Sequence, residues 1–346
     1  MIFSTFMRHK RPLLAGFSAI LLIIIIRVIG LQEILDAFVD VDKALLAGAL
    51  ALFAGSIAVG ALRWKSIIGL TDTRPSFPSI IKLVLVDKFA NSFLPTAAAG
   101  MALRTVLLNK DYGIKKSKGL ATIVLDYGID IFGTFILAVP CYIIIAEQLS
   151  EGIQRTFRTS LLTIAVAAVL VFVLSNTEFL ISCTDKKRRV AAGRRAPFVK
   201  KMVDSRTWKK FKEFSATFGV LLANRRLFVK TMGLTFAKVI LDALRITVLF
   251  YAFGISVPFY YFILFDSAWT FLSPLMFTPG GIGVVETGRI ALYSLIPAVS
   301  SSETAPIVFL DRLITFWLMT LCGAVVFFSE GIDISSASEY AASNDV

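Results

Sequence analysis

The chain has 346 residues, 56% of them hydrophobic, and a mean hydropathy of +0.77. Several apolar runs are longer than a core helix needs, so the bilayer is its solvent and a soluble globular fold is excluded. The net charge is +12, but the three cysteines (Cys141, Cys183, Cys322) lie far apart and the single histidine is His9, which argues against a disulfide framework, a zinc centre and histidine-based catalysis.

The basic N-terminus (Arg8, Lys10, Arg11) precedes an apolar run, 13–29, with no small-residue cleavage site after it, so the run reads as a first span rather than a signal peptide. Further spans are predicted at 44–62, 119–145, 159–175, 228–252 and 306–329. Two more apolar regions, 80–108 and 259–297, are interrupted. With the N-terminus inside, the acidic loop 30–43 lies outside and the basic segments 63–82 and 109–118 both lie inside. Region 80–108 therefore starts and ends on one face. Its sequence, with Pro95 and Gly100 at the break, leaves arms of about a dozen and about eight residues, each too short to cross roughly 30 Å alone. This predicts a re-entrant hairpin.

Segment 146–158 then falls outside, and 176–226, with fourteen Lys and Arg against four acidic residues, falls inside. That basic loop is a topogenic signal first and a surface for anionic lipid second. Nucleic acid is not expected, since aromatic interleaving is thin and no binding motif is present. Residues 298–305 contain no Lys or Arg, so 259–297 begins and ends on the outer face, with its break at "TPGGIG". The order span, span, hairpin, span occurs twice in opposite orientation. The predicted fold is an all-α polytopic membrane protein of six full spans and two opposed re-entrant hairpins in an inverted-topology repeat, about 13–145 and about 159–329. Setting Asp126 of "ATIVLDYGIDIFG" on Asp311 of "PIVFLDRLITFWL" also brings Leu125 onto Leu310, Ile129 onto Ile314 and Phe132 onto Trp317.

Broken backbone at membrane depth is tolerated only where protein or a water-filled cavity covers it. Gly280, Gly281 and Gly283 allow a tight turn there, and helices starting after Gly100 and Gly283 would aim their amides at the joints, an arrangement suited to an anionic group. Each isolated charge at that depth costs ~2.5–3.5 kcal/mol, so the many ionisable residues must pair or face a polar interior. Candidate substrate contacts are Asn91, Gly100, Arg104, Gly280, Gly281, Gly283, Glu286, Arg289, Asp311 and Arg312. Candidate path or coupling residues are Asp87, Asp126, Asp130, Lys238, Asp242, Arg245 and Asp266. Lys238, Asp242 and Arg245 recur at i, i+4, i+7 on one helix face, as an ion-pair ladder or a functional lining. Asp126 and Asp311 can also simply pair with basic neighbours such as Arg312.

"NSFLPTAAAGMALRTVLL…GLATIVLDYGIDIF" together with "FTPGGIGVVETG…FLDRLITF" resembles the lysylphosphatidylglycerol synthase transmembrane-domain, or flippase-like, family over nearly the whole chain. The family's first hairpin typically shows Gly-Glu-x-x-Arg; here Gly100 and Arg104 are kept and Met101 replaces the acid. The acid and arginine of the last span correspond to Asp311 and Arg312. The resemblance implies movement of lipids or lipid-linked headgroups across a membrane, in some members alongside a soluble aminoacyl-transferase domain, for which the roughly fifty-residue basic loop is too small. The expectation is thus a transporter rather than an enzyme, working in the cytoplasmic membrane with both termini inside. Its partners are membrane lipids with a polar, anionic headgroup, and it needs no metal or other cofactor. The alternatives are a membrane transferase using a phospholipid or polyprenyl-phosphate donor, with a metal on Asp126, Asp130 and Asp311, and a secondary transporter of a small anion.

Overall fold

The computed structural model describes residues 41–71, 73–93, 98–152, 154–155, 157–159, 162–163, 224–272, 278–297 and 299–330. The predicted span 13–29, most of 159–175 and all but the last three residues of the basic loop lie outside the described residues, as do 94–97 and 273–277 in the two joints. The described residues are helical, with no strand among them.

Asp42 starts α1 (Lys43–Ile68): its Oδ1 accepts from the amides of Ala44 at 2.7 Å and Leu45 at 3.2 Å, satisfying two donors that a helix start leaves open. The helix runs beyond the predicted end at residue 62. Arg63 and Lys65, which read as loop charges because the apolar run stops at Leu62, are helical. The first interrupted region is a helical hairpin, α2 (Phe77–Phe93) and α3 (Ala98–Tyr112). Next comes α4 (Lys116–Ile145), extended by a 3₁₀ turn, Ala146–Gln148.

The Asn224 side chain accepts from Leu227 N at 3.1 Å and opens α5 (Arg225–Ala252). The second hairpin is α6 (Phe259–Leu272), a 3₁₀ turn (Pro279–Gly281) and α7 (Val284–Tyr293). Ser300 and Glu303 exchange hydrogen bonds as a capping box at the start of α8 (Ser301–Arg312). A π-helical turn, Leu313–Leu318, joins α8 to α9 (Met319–Ser329).

Among the described residues, three helical stretches are long and apolar enough to cross a membrane: Lys43–Ile68, Lys116–Gln148 and Ser301–Ser329. Helix α5 matches them in length at 28 residues but carries six charged side chains. Ile143, Leu321, Val325 and Phe328 stand largely exposed on these helices, the expected surface toward lipid tails.

Helices α1 and α5 run antiparallel along each other. Gly48 faces Val248, Gly55 faces Leu241 and Gly60 faces Lys238, while Ser56 donates to Asp242 at 2.7 Å. Around this pair, α2 packs on α9 and α6 on α4, α3 on α4 and α7 on α8. Each pairing in one half has a counterpart when α1 is exchanged for α5, α2 for α6, α3 for α7 and α4 for α8–α9.

Both hairpins close at their bases. Thr73 Oγ1 donates to Tyr112 O at 3.3 Å, joining the approach to α2 with the end of α3. In the second hairpin, Tyr293 at the end of α7 has ring centroids 5.4 Å from Phe262 near the start of α6 and 5.7 Å from Phe250 of α5. The opposite ends meet: a methyl built on Gly280 would stand 3.1 Å from the Ser92 carbonyl, which terminates α2. The tip of one hairpin thus touches the tip of the other.

This geometry sharpens a topology test. Val257 is buried, so exposed neighbours serve better as reporters. In a variant lacking Cys141, Cys183 and Cys322, single cysteines at Ser256 and Ser301 should react with an impermeant maleimide from one face of intact cells. Cysteines at Arg74 and Asp111 should react only after the membrane is opened. Labelling of 256 and 301 from opposite faces would turn the second hairpin into an ordinary span.

Candidate functional site

The ionisable residues picked out in the sequence pair with one another almost completely, and the crossing of α1 and α5 decides which meet which. In the first half, Arg63 Nε donates to Asp126 Oδ1 at 2.8 Å, and its Nη1 pairs with Asp130 and reaches Thr235 Oγ1 at 3.2 Å. Lys238 lies 3.4 Å from Asp130 and 3.3 Å from Asp242. In the second half, Arg245 pairs with Asp311, which also accepts from Arg289 Nη1 at 2.5 Å. Arg289 Nη2 stands 3.6 Å from Asp266, whose Oδ1 accepts from the Tyr293 hydroxyl at 3.3 Å. The charges therefore form two networks, one running from α4 through α1 to α5 and the other from α5 through α8 and α7 to α6.

The ladder expected on α5 is divided. Lys238 and Asp242 turn to the first half and Arg245 to the second. Asp311 does not take Arg312 as partner. Arg312 Nε donates to Glu286 Oε1 at 2.7 Å and its Nη2 to Gly280 O at 2.9 Å, while Glu286 Oε2 accepts from Gly283 N at 2.7 Å. Glu286 thus closes the glycine turn onto α8 and is buried. Gly280, Gly281 and Gly283 have φ of 61, 68 and 83°, conformations that side chains disfavour, which is why this turn is written in glycine.

At the first hairpin, Asn91 Oδ1 accepts from Gly100 N at 2.9 Å and closes the tip. A Cβ on Gly100 would lie 2.1 Å from Asp87 Oδ1, so the residue has no room for a side chain. Arg104 Nη2 stands 3.1 Å from Asp87 Oδ2, and its guanidinium lies over Trp64 at 4.5 Å from the ring centroid. Arg104 and Asp87 are buried, whereas Lys238, Asp130 and Asp242 keep side chains 25, 28 and 25% exposed. That partial exposure makes the first-half network the wetter of the two.

Sequence reasoning missed Arg63 and Trp64. The readable signal was the equivalence of Arg63 with Arg245, since each serves the aspartate of the following long span. The proposed convergence of Asp126, Asp130 and Asp311 is not seen: the first two share Arg63 and the third goes to Arg245 and Arg289. Among the described residues, no three of His, Cys, Asp or Glu are grouped to hold a metal ion.

Comparison with known proteins adds a family. The family model for the lysylphosphatidylglycerol synthase TM region matches residues 13–323. A UPF0104 membrane protein of Methanothermobacter thermautotrophicus is 26% identical over 337 residues, covering 94% of this chain and 98% of the relative. Another, from Pyrococcus horikoshii, is 23% identical, covering 92% and 96%, and a third, from Methanocaldococcus jannaschii, is 24% identical, covering 91% and 94%. No solved structure matches the chain.

Proposed function

This chain belongs to the family of the lysylphosphatidylglycerol synthase transmembrane region, and from that premise we propose that it is a flippase-like transporter that carries a lipid with a polar headgroup across the cytoplasmic membrane. The observation that carries the reading is the meeting of the two hairpin tips, Ser92 against Gly280, inside a bundle where Lys238 of one half pairs with Asp130 of the other. Two hairpins entering from opposite faces leave one point shared by both sides, which is what alternating access to a midplane site requires.

A headgroup at that point replaces its lost water with protein contacts. Arg104 supplies a guanidinium to an oxyanion, a charge-assisted contact stronger than a neutral hydrogen bond. The partly exposed Lys238, Asp130 and Asp242 line a polar lane, and the acyl chains stay in the bilayer against the apolar outer faces. The ion pairs keep that lane tolerable at membrane depth when it is empty, because each cation already has a carboxylate beside it.

Reconstituted into liposomes carrying a headgroup-labelled phospholipid in both leaflets, the protein should bring the inner-leaflet label within reach of an impermeant reductant. Arg104→Ala should return the rate to that of protein-free vesicles while the protein remains inserted. Flux of a small anion without lipid movement would replace this reading with a secondary anion transporter, and a covalently altered lipid would replace it with a transferase.

A further inference from the structure

The two halves correspond by their partners as well as by their sequence. Arg63 and Arg245 hold Asp126 and Asp311, while Arg104 and Arg289 approach Asp87 and Asp266. Those last two acids each stand eight residues before a proline, Pro95 and Pro274. Two positions break the correspondence together. Glu286, three residues before Arg289, answers to Met101; its partner Arg312, next to Asp311, answers to Tyr127, next to Asp126. The second half clamps α7 to α8 with a buried ion pair. The first half places a thioether and a phenol there, both half-buried at the edge of one apolar cluster.

Both halves leave buried polar atoms without a hydrogen-bond partner among the described residues, but in different company. In the second half these are Arg245 Nε and Nη1, Arg289 Nε, Thr278 Oγ1 and Asp311 Oδ1; there Asp311 faces both Arg245 and Arg289, and Arg289 also faces Asp266, so the charges offset one another within the cluster. In the first half, Arg104 Nε and Nη1, Trp64 Nε1 and Asp87 Oδ1 are all buried without a hydrogen-bond partner among the described residues. Arg104 is 5% exposed and Asp87 fully buried. Three donors and one carboxylate oxygen are thus left around one stacked Arg–Trp pair. Leaving a buried polar group unpaired costs about 1–3 kcal/mol, so the arrangement favours an occupant that brings acceptors and a donor together.

Resting on the transport reading, we infer that the first hairpin is the half that selects the headgroup, and that Arg104, Trp64 and Asp87 take a phosphate ester that also bears a hydrogen-bond donor, an ammonium or a hydroxyl. A bare anion satisfies the guanidinium and indole but leaves Asp87 Oδ1 beside negative charge. A quaternary ammonium has no N–H to give it. Entry to the buried group is easier on this side, because parting α3 from α4 separates Met101 from Tyr127 rather than a carboxylate from a guanidinium.

The test uses the purified full chain in a neutral detergent and reads the tryptophan fluorescence that is lost in Trp64→Phe. The probes are dihexanoyl phosphatidylethanolamine, phosphatidylglycerol and phosphatidylcholine, with soluble glycerophosphoethanolamine as a fourth arm. The two donor-bearing lipids should bind about tenfold or more tightly than phosphatidylcholine. Arg104→Lys should weaken all three, and Asp87→Asn should erase the preference.

Equal affinity for the three lipids in the unaltered protein overturns the proposal whatever the variants do, and so does a preference that survives Asp87→Asn. No saturable Trp64 signal means that buried water alone satisfies these atoms, and overturns it too. Binding of glycerophosphoethanolamine as tight as that of its lipid supports the site and its chemistry while removing the lipid, a result that sinks the transport reading instead.

Discussion

Asp311→Asn should destabilise the protein far more than Asp126→Asn, although the two acids occupy corresponding places in the two halves. Asp311 is 1% exposed and holds two guanidiniums, Arg245 and Arg289. Neutralising it strands Arg245, whose side chain is 4% exposed and has no second carboxylate within ion-pair distance among the described residues. Breaking a buried pair from one side costs about 3–5 kcal/mol, because the remaining charge stays desolvated. Asp126 shares Arg63 with Asp130 and with the Thr235 hydroxyl, so Asp126→Asn leaves that guanidinium a carboxylate and should cost nearer 1–3 kcal/mol. Unfolding of the detergent-solubilised protein by heat or by SDS reads both. Adding Arg245→Leu to Asp311→Asn should recover part of the loss by removing the stranded charge. Equal losses for the two aspartates, or no recovery in the double variant, would show that the ion pairs seen here do not carry the stability assigned to them.

Gly280→Ala should abolish headgroup movement at a modest cost in stability. Gly280 has φ of 61°, and an alanine there costs about 1–2 kcal/mol in backbone strain alone. The larger effect is crowding. The new methyl would stand 2.5 Å from Phe316 Cζ and 3.1 Å from the Ser92 carbonyl, so either the ring or the opposite hairpin tip must retreat. Phe316 lies under Arg312 at 4.1 Å from its ring centroid, so moving the ring also disturbs the clamp to Glu286. Gly254→Ala supplies the control: its φ is 75°, with nothing within 4 Å of the added methyl, so it carries the backbone strain without the crowding. Lipid movement should survive in Gly254→Ala and vanish in Gly280→Ala. Similar transport in the two would mean that the tip contact is incidental.

Much of the architecture was legible in the charge pattern. Counting Lys and Arg on either side of each apolar region singled out the two segments that are each broken into two short helices, because a half-length helix followed by Pro or Gly has a signature that composition alone reveals. Asp126 and Asp311 were legible as counterparts, since each sits in the same apolar frame. Partner choice was not. Lys238 and Arg245 share a face by spacing, but seven residues carry the chain about 10 Å along α5, far enough to meet different neighbours. Nothing in the local sequence says that α4 crosses at one level and α8 at the other. Arg63 was lost for a related reason: an arginine that follows an apolar run and precedes another basic residue looks like the start of a loop, and only the helix packed against it reveals a buried ion pair. Glu286 was legible as unusual; that it ties the glycine turn to Arg312 was not, because its partner lies on a separate helix.

The lengths of the helices bear on the bilayer itself. Lys116–Gln148 and Ser301–Ser329, at 33 and 29 residues, extend about 50 and 43 Å. The hydrocarbon layer is about 30 Å thick, so both must tilt steeply or push their ends through the headgroup region. The hairpin arms are shorter: α2 and α3, with 17 and 15 residues, reach about 25 and 22 Å, and α6 and α7, with 14 and 10, about 21 and 15 Å. None of them reaches across that layer alone. Laid end to end from the contact of Ser92 with Gly280, however, α2 and α6 would come to about 46 Å, the length of the unbroken helices beside them, so two half-helices do the work of one strut and leave a single seam in it where their tips touch.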